Sequence, residues 1–126
     1  MPKFAANLSM MFTEVDFLDR FALAAKAGFK GVEFLFPYEH EAEDIKARLD
    51  ANGLEMVLFN LPPGDWAAGE RGIACHPDRT AEFRDGIARG IAYARVLRPP
   101  QLHCMAGKVL PGVADEVHRK TFVANL

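Results

Sequence analysis

Short apolar segments and amphipathic segments alternate along the whole chain. Four apolar segments have the length of a β-strand, and each is followed by apolar residues that recur at helical spacing. Strands that alternate with helices pair in parallel through right-handed crossovers. The sequence predicts strands at 4–8, 31–36, 54–59 and 101–105, and helices at 17–27, 41–52, 80–97 and 114–126.

The composition of the predicted strands limits the choice of α/β architecture. They are nearly continuous in apolar residues, which is typical of a parallel sheet covered on both faces. A doubly wound sheet and part of a (β/α)8 barrel both satisfy this pattern. The segment after the first strand contains no glycine, so the dinucleotide-binding fingerprint of doubly wound sheets is missing. Polar residues stand at the strand ends, where barrels carry their active sites, and favour a (β/α)8 TIM barrel: Asn7, Glu33, Asn60 and His103.

The length of the chain fits only part of such a barrel. A complete barrel takes roughly 250 residues, and this chain has 126. We therefore expect residues 1–126 to be a single domain that forms the first four βα units of a truncated barrel. The open sheet edges of a half barrel are sites of association, which predicts a homo-oligomer that covers them.

Charge and cysteine usage exclude several classes of partner. The net charge of -2 gives no basic surface for nucleic acid. No apolar run reaches the roughly 18 residues of a membrane span, and the N-terminus lacks the apolar region of a signal peptide. Cys75 and Cys104 form no CxxC pair, so we expect free thiols in the reducing cytoplasm.

The segment between the third strand and the third helix is unusually long. About 19 residues separate the two elements, and loops of this length in compact domains are usually functional. The loop carries the only tryptophan of the chain, Trp66. Arg71 is predicted to grip a substrate carboxylate, Glu70 to orient Arg71 or nearby backbone, and Trp66 to exclude water. Alternatively, Trp66 fixes the loop and Arg71 pairs with Asp65 or Glu70.

Residues at the strand ends have two interpretations each. Asn7 and Asn60 either bind substrate oxygens or cap their own turns. Glu33 either faces the pocket or is a buried charge paired with a lysine or arginine. His103 is either an acid–base group or a structural histidine.

Three further residues stand out in the sequence: Lys108, His76 and Arg98. Lys108 is a second candidate for the substrate anion. His76 lacks ligand partners at metal spacing, so we expect it on the surface. No metal site is predicted within the chain. Arg98 stands where a glycine is expected to end the third helix.

Three segments resemble the hydroxypyruvate isomerase family of the xylose-isomerase-like barrels: 4–10, 31–38 and above all 60–74, NLPPGDWAAGERGIA. The resemblance covers essentially the whole chain. It implies interconversion of hydroxypyruvate and tartronate semialdehyde in glyoxylate and carbohydrate metabolism. It also implies a barrel about twice as long, with two catalytic glutamates and any ligands for Mg2+ or Mn2+ beyond Leu126. No catalytic residue is then expected within this chain, and the isolated chain is expected to be inactive.

Other functions remain open at this point. A sugar epimerase or isomerase of the same barrel group would use the same scaffold. A non-catalytic half barrel that serves in assembly would keep the fold without turnover. Cleavage of damaged DNA, the activity of distant endonuclease relatives, is disfavoured by the acidic balance of the chain and by its lack of histidine-rich metal ligands.

Overall fold

Strands and helices alternate in the computed structural model, which describes residues 1–126. Helix α3 has the predicted bounds, whereas the first, second and fourth strands are shorter than predicted. Two 3-10 turns, Phe17–Asp19 and Pro77–Arg79, lead into α1 and α3. The elements are β1 Ala5–Asn7, α1 Arg20–Lys26, β2 Gly31–Phe34, α2 Ala42–Asn52, β3 Glu55–Asn60, α3 Thr80–Leu97, β4 Gln101–His103 and α4 Asp115–Asn125.

The four strands form one sheet whose spatial order is the order of the chain. β1 pairs in parallel with β2, and β2 pairs in parallel with β3. Sequential parallel strands with a helix after each one are the arrangement found in a TIM barrel. The predicted architecture, half of a (β/α)8 barrel, is confirmed.

The chain divides into two compact units, which we describe separately. The first unit comprises Met1–Phe59 and Ala92–Leu102. Its core is an aromatic cluster in which Phe21, Phe34 and Phe59 are almost fully buried. The ring of Phe34 lies 5.2 Å from Phe17 and 6.1 Å from Phe21, both edge-to-face, which is a favoured geometry for aromatic pairs.

The second unit comprises Asn60–Ile91 and His103–Leu126 and has a smaller core. Ile73, Ala74 and Phe83 are buried there, and Ile87, Cys104 and Phe122 pack against them. Ile91 of α3 is apolar at helical spacing from Phe83 and Ile87, which predicts burial, but it is exposed. At about 100° per residue, Ile91 lies roughly 80° around the helix from Phe83, whereas Gly90 lies only about 20° away and is buried.

Helix α3 ends in a left-handed residue, and both cysteines are free. Arg98 follows α3 with a φ of 53°, so the helix ends in a left-handed residue although glycine is absent. Cys75 and Cys104 are free thiols, as predicted. None of the four helices has the length and apolar character required to cross a bilayer.

Candidate active-site loop

Residues 63–72, which we call the Trp66 loop, form a closed turn. Its neck is joined by two backbone hydrogen bonds, from Gly72 N to Pro63 O at 2.8 Å and from Glu70 N to Asp65 O at 2.9 Å. Within the turn, the Asp65 carboxylate accepts a hydrogen bond from Ala68 N at 2.9 Å. These hydrogen bonds give the loop a defined path.

Gly72 seats the neck of the Trp66 loop on the segment that follows β4. It has a φ of 96°, and a Cβ at this position would stand 2.1 Å from the carbonyl oxygen of Met105. A hydrogen bond from Cys75 N to Ala106 O, 2.8 Å long, continues the contact. Only glycine allows so close a backbone approach in this conformation.

The guanidinium group of Arg71 stacks on the ring of Trp66. Its central carbon lies 3.7 Å from the ring centroid, and its Nη1 donates to the carbonyl oxygens of Trp66 at 3.3 Å and Glu70 at 2.6 Å. The alternative in which Arg71 pairs with Asp65 or Glu70 is not realised, since Arg71 forms no ion pair within the chain. The Nε and Nη2 edge of the exposed group remains available for a carboxylate.

The carboxylate of Glu70 contacts the loop neck and an arginine outside the loop. One oxygen accepts a hydrogen bond from Asp65 N at 2.5 Å, and the other pairs with Arg79. Arg79 also binds both carboxylate oxygens of Glu82 at 2.8 Å. The Arg79 guanidinium lowers the pKa of Glu70 and of Glu82, and these two carboxylates raise the pKa of Arg79.

His76 is buried, so its assignment to the surface was wrong. Its Nε2–H donates to the carbonyl oxygen of Lys108 at 2.9 Å, which ties together two segments distant in sequence. The Lys108 side chain reaches the tip of the Trp66 loop, because a Cβ at Gly69 would lie 3.7 Å from its ammonium nitrogen. The partner of His76 depends on the path of the loop, which no sequence periodicity reveals.

In the first unit, Asn7 and Glu33 form a pair at the ends of adjacent strands. Asn7 Nδ2 donates to Glu33 Oε1 at 3.1 Å, and Asn7 Oδ1 accepts from Ser9 N at 3.0 Å. Asn7 thus caps its own turn and orients Glu33 at the same time. Glu33 has no lysine or arginine partner, and its second oxygen makes no hydrogen bond within the chain.

In the second unit, Asn60 and His103 form the corresponding pair. His103 Nδ1 lies 3.2 Å from Asn60 Oδ1. Since the amide oxygen only accepts, Nδ1–H of His103 donates this hydrogen bond. Asn60 is buried and His103 is exposed, so the pair joins the protein interior to the surface.

The structure thus brings six of the eight predicted site residues together in pairs, Asn7 with Glu33, Asn60 with His103 and Trp66 with Arg71. Glu70 instead joins Arg79, which the sequence analysis missed. The i, i+3 spacing of Arg79 and Glu82 is visible in the sequence. No three His, Cys, Asp or Glu side chains meet in an arrangement that could hold a metal ion. The residues present therefore do not fit a metal centre of their own.

Comparison with known proteins identifies the class to which this fold and loop belong. Residues 21–126 match the family model described as xylose isomerase-like TIM barrel. The chain belongs to the xylose isomerase-like TIM barrel family.

Individual relatives agree with this assignment. The chain is 58% identical to a 2-oxo-tetronate isomerase of Cupriavidus necator and 55% identical to a hydroxypyruvate isomerase of Escherichia coli, with 100% of this chain covered in both comparisons. It also resembles a crystal structure of an AP endonuclease, family 2, from Brucella melitensis, with a TM-score of 0.95 and 53% identity over 99% of this chain. The matches cover 48%, 49% and 48% of those three proteins, so the chain spans about half the length of the curated relatives.

Proposed function

We propose that this chain forms the substrate-binding part of an isomerase that interconverts hydroxypyruvate and tartronate semialdehyde. The observation that carries the proposal is the Arg71 guanidinium, which is stacked on Trp66 and has no carboxylate partner in the chain. Two isomerases whose sequences are 58% and 55% identical to this chain support the reaction class.

The carboxylate of the substrate supplies the partner that Arg71 lacks. Two parallel N–H···O bonds from the Nε and Nη2 edge match the geometry of a carboxylate. Trp66 covers one face of the guanidinium and limits its access to water. The side chain of Lys108 reaches the tip of the Trp66 loop from outside it. Its positive charge attracts the anion.

The reaction moves a carbonyl group between neighbouring carbons. A base removes a proton from C3 of hydroxypyruvate, the enediolate forms, the hydroxyl proton moves from O3 to O2, and a proton returns to C2. His103, in the same unit as Arg71, adds an exposed imidazole that hydrogen-bonds a substrate oxygen in this proposal. We assign the two proton transfers to glutamates that the family resemblance implies in the other half of the barrel.

A chimera tests this proposal. Residues 1–126 replace the matching half of the Escherichia coli hydroxypyruvate isomerase, and the chain alone is assayed beside it. Proton NMR in D2O follows both loss of hydroxypyruvate and deuterium incorporation. We expect turnover and exchange by the chimera and none by the chain alone. A chimera that folds but leaves hydroxypyruvate unchanged would contradict the proposal and favour a non-catalytic half barrel.

A four-carbon substrate is the second candidate, because a relative at 58% identity is a 2-oxo-tetronate isomerase. That acid also carries a carboxylate beside a hydroxy-oxo group, so it would use the same grip by Arg71. The ratio of kcat/KM for 2-oxo-tetronate and hydroxypyruvate in the chimera decides between them. A ketohexose in the same panel tests the sugar isomerase alternative.

Replacing Arg71 by alanine is expected to raise the KM of the chimera for hydroxypyruvate about 30-fold, since a hydrogen-bonded charge contributes roughly 2 kcal/mol. Arg71→Lys keeps the charge without the bidentate geometry and should fall between. Arg119→Ala is the matched control, because Arg119 is exposed on α4 and forms no ion pair. Equal KM values for Arg71→Ala and Arg119→Ala would exclude the carboxylate grip.

A further inference from the structure

We infer that Arg79 is a positioning residue that acts through Glu70 to hold the Arg71–Trp66 pair in the geometry that binds a carboxylate. The inference rests on the proposed function of Arg71. It concerns a residue outside the Trp66 loop, whose side chain makes both of its ion pairs with carboxylates of the second unit.

Arg79 has a rigid base from which to hold the loop. It lies in the 3-10 turn that leads into α3, and Glu82 belongs to the first turn of that helix. Two hydrogen bonds of 2.8 Å join the guanidinium to both oxygens of Glu82. This bidentate pair fixes the plane of the guanidinium, so the remaining nitrogen, Nη1, points to Glu70 from a defined position.

Glu70 transmits this constraint to the neck of the Trp66 loop. Its Oε2 accepts from Asp65 N at 2.5 Å, while its Oε1 pairs with Arg79. The carboxylate fills the interior of the neck, because a Cβ at Gly64 would stand 2.1 Å from Oε2. Both sides of the neck are thereby attached to the start of α3.

Arg71 is the residue directly after this anchor. Its Nη1 donates to the carbonyl oxygen of Glu70 at 2.6 Å, and the same group stacks on Trp66. Loss of Arg79 would release the Glu70 carboxylate from its charged donor. It would also leave Glu70 and Glu82 as unneutralised negative charges near the loop, which disfavours binding of an anion.

Trp66 provides the measurement, because it is the only tryptophan of the chain and carries the Arg71 guanidinium on its ring. The full 126-residue chain is titrated with glycerate, a hydroxy acid that absorbs little ultraviolet light, while Trp66 fluorescence is recorded. We expect saturable binding by the wild type and about tenfold weaker binding by Arg79→Met. Arg79→Lys should recover part of the affinity, since one ammonium cannot hold both carboxylates bidentately.

The double variant Arg71→Ala/Arg79→Met separates positioning from general destabilisation. If Arg79 acts through Arg71, the double variant binds glycerate as weakly as Arg71→Ala alone. Arg84→Met is the matched control, because Arg84 is an exposed arginine of α3 without an ion pair, and it should bind like the wild type. Additive losses in the double variant, or wild-type affinity of Arg79→Met, would overturn the inference.

A variant that does not fold and a wild type that does not bind glycerate each have a defined interpretation. Should Arg79→Met fail to fold by circular dichroism, Glu70→Gln takes its place, because it keeps the shape of the side chain and removes the charge that Arg79 binds. Should the wild type not bind glycerate, the proposed function loses its support. Iodide quenching of Trp66 then decides the positioning role, with greater quenching in Arg79→Met supporting it and unchanged quenching overturning it.

Discussion

Replacing Phe34 by alanine is expected to lower the free energy of unfolding by about 4 kcal/mol, as for other large-to-small changes in a well-packed core. Phe34 is 1% exposed and its ring lies 5.2 to 6.3 Å from the rings of Phe17, Phe21 and Phe59. Alanine removes these contacts and leaves a cavity whose walls belong to β3, α1 and the turn before α1. The neighbouring rings cannot close such a cavity without leaving their own positions.

Urea denaturation followed by far-UV circular dichroism measures this loss. Phe4→Ala is the matched control, since Phe4 belongs to the same unit but is 74% exposed. We expect the control to change the free energy of unfolding by less than about 0.5 kcal/mol. Equal effects of the two substitutions would mean that the aromatic cluster does not form the core of the first unit.

The alternation of elements was predictable because each period in the sequence reports a local geometry. The residues at which the strands end were less predictable, as β2 shows. Leu35 and Phe36 are apolar and continue the predicted strand, yet Leu35 N donates to the hydroxyl of Ser9 at 2.8 Å instead of a neighbouring strand. A side-chain acceptor from another segment ended the strand, and apolar patterning carries no information about it.

The pairing of Asn7 with Glu33 in the candidate site could be predicted from the topology of the sheet. Asn7 and Glu33 are register partners in the parallel pair β1 and β2, and strand-end positions on adjacent parallel strands meet at one edge. The pairing of Glu70 with Arg79 had no such rule, because the eight residues between them are irregular loop and the start of a 3-10 turn. The same is true of His76 and Lys108, whose contact depends on how two loops fold against each other.

Arg98 illustrates a different limit. The need for a left-handed residue after α3 was predictable from the helix end, and Arg98 adopts that conformation with its N–H bonded to Ala94 O at 2.8 Å. The glycine expected at this helix end is absent, yet the backbone takes the conformation that a glycine would take there. Helix-end rules thus constrain the backbone more strongly than they constrain the side chain.

Substituting Gly72 by alanine is expected to lower the free energy of unfolding by about 4 kcal/mol, from the combined costs of a left-handed alanine and of a steric clash. The new Cβ would lie 2.1 Å from the carbonyl oxygen of Met105 and 2.6 Å from its Cβ. Because backbone lines this contact, the Trp66 loop must separate from the segment after β4, and Trp66 should become more accessible to iodide. Thermal unfolding and iodide quenching measure the two effects.

Gly112→Ala is the matched control for Gly72→Ala. Gly112 belongs to the same unit and also has a positive φ, 76°, but a Cβ there would meet no atom within 4 Å. It should therefore cost only the backbone strain of about 1 kcal/mol and leave Trp66 quenching unchanged. The difference between the two variants isolates the close approach at Met105. If both variants lost the same stability, this contact would not hold the Trp66 loop, and the loop would have to be held elsewhere, by the attachment of Glu70 to Arg79.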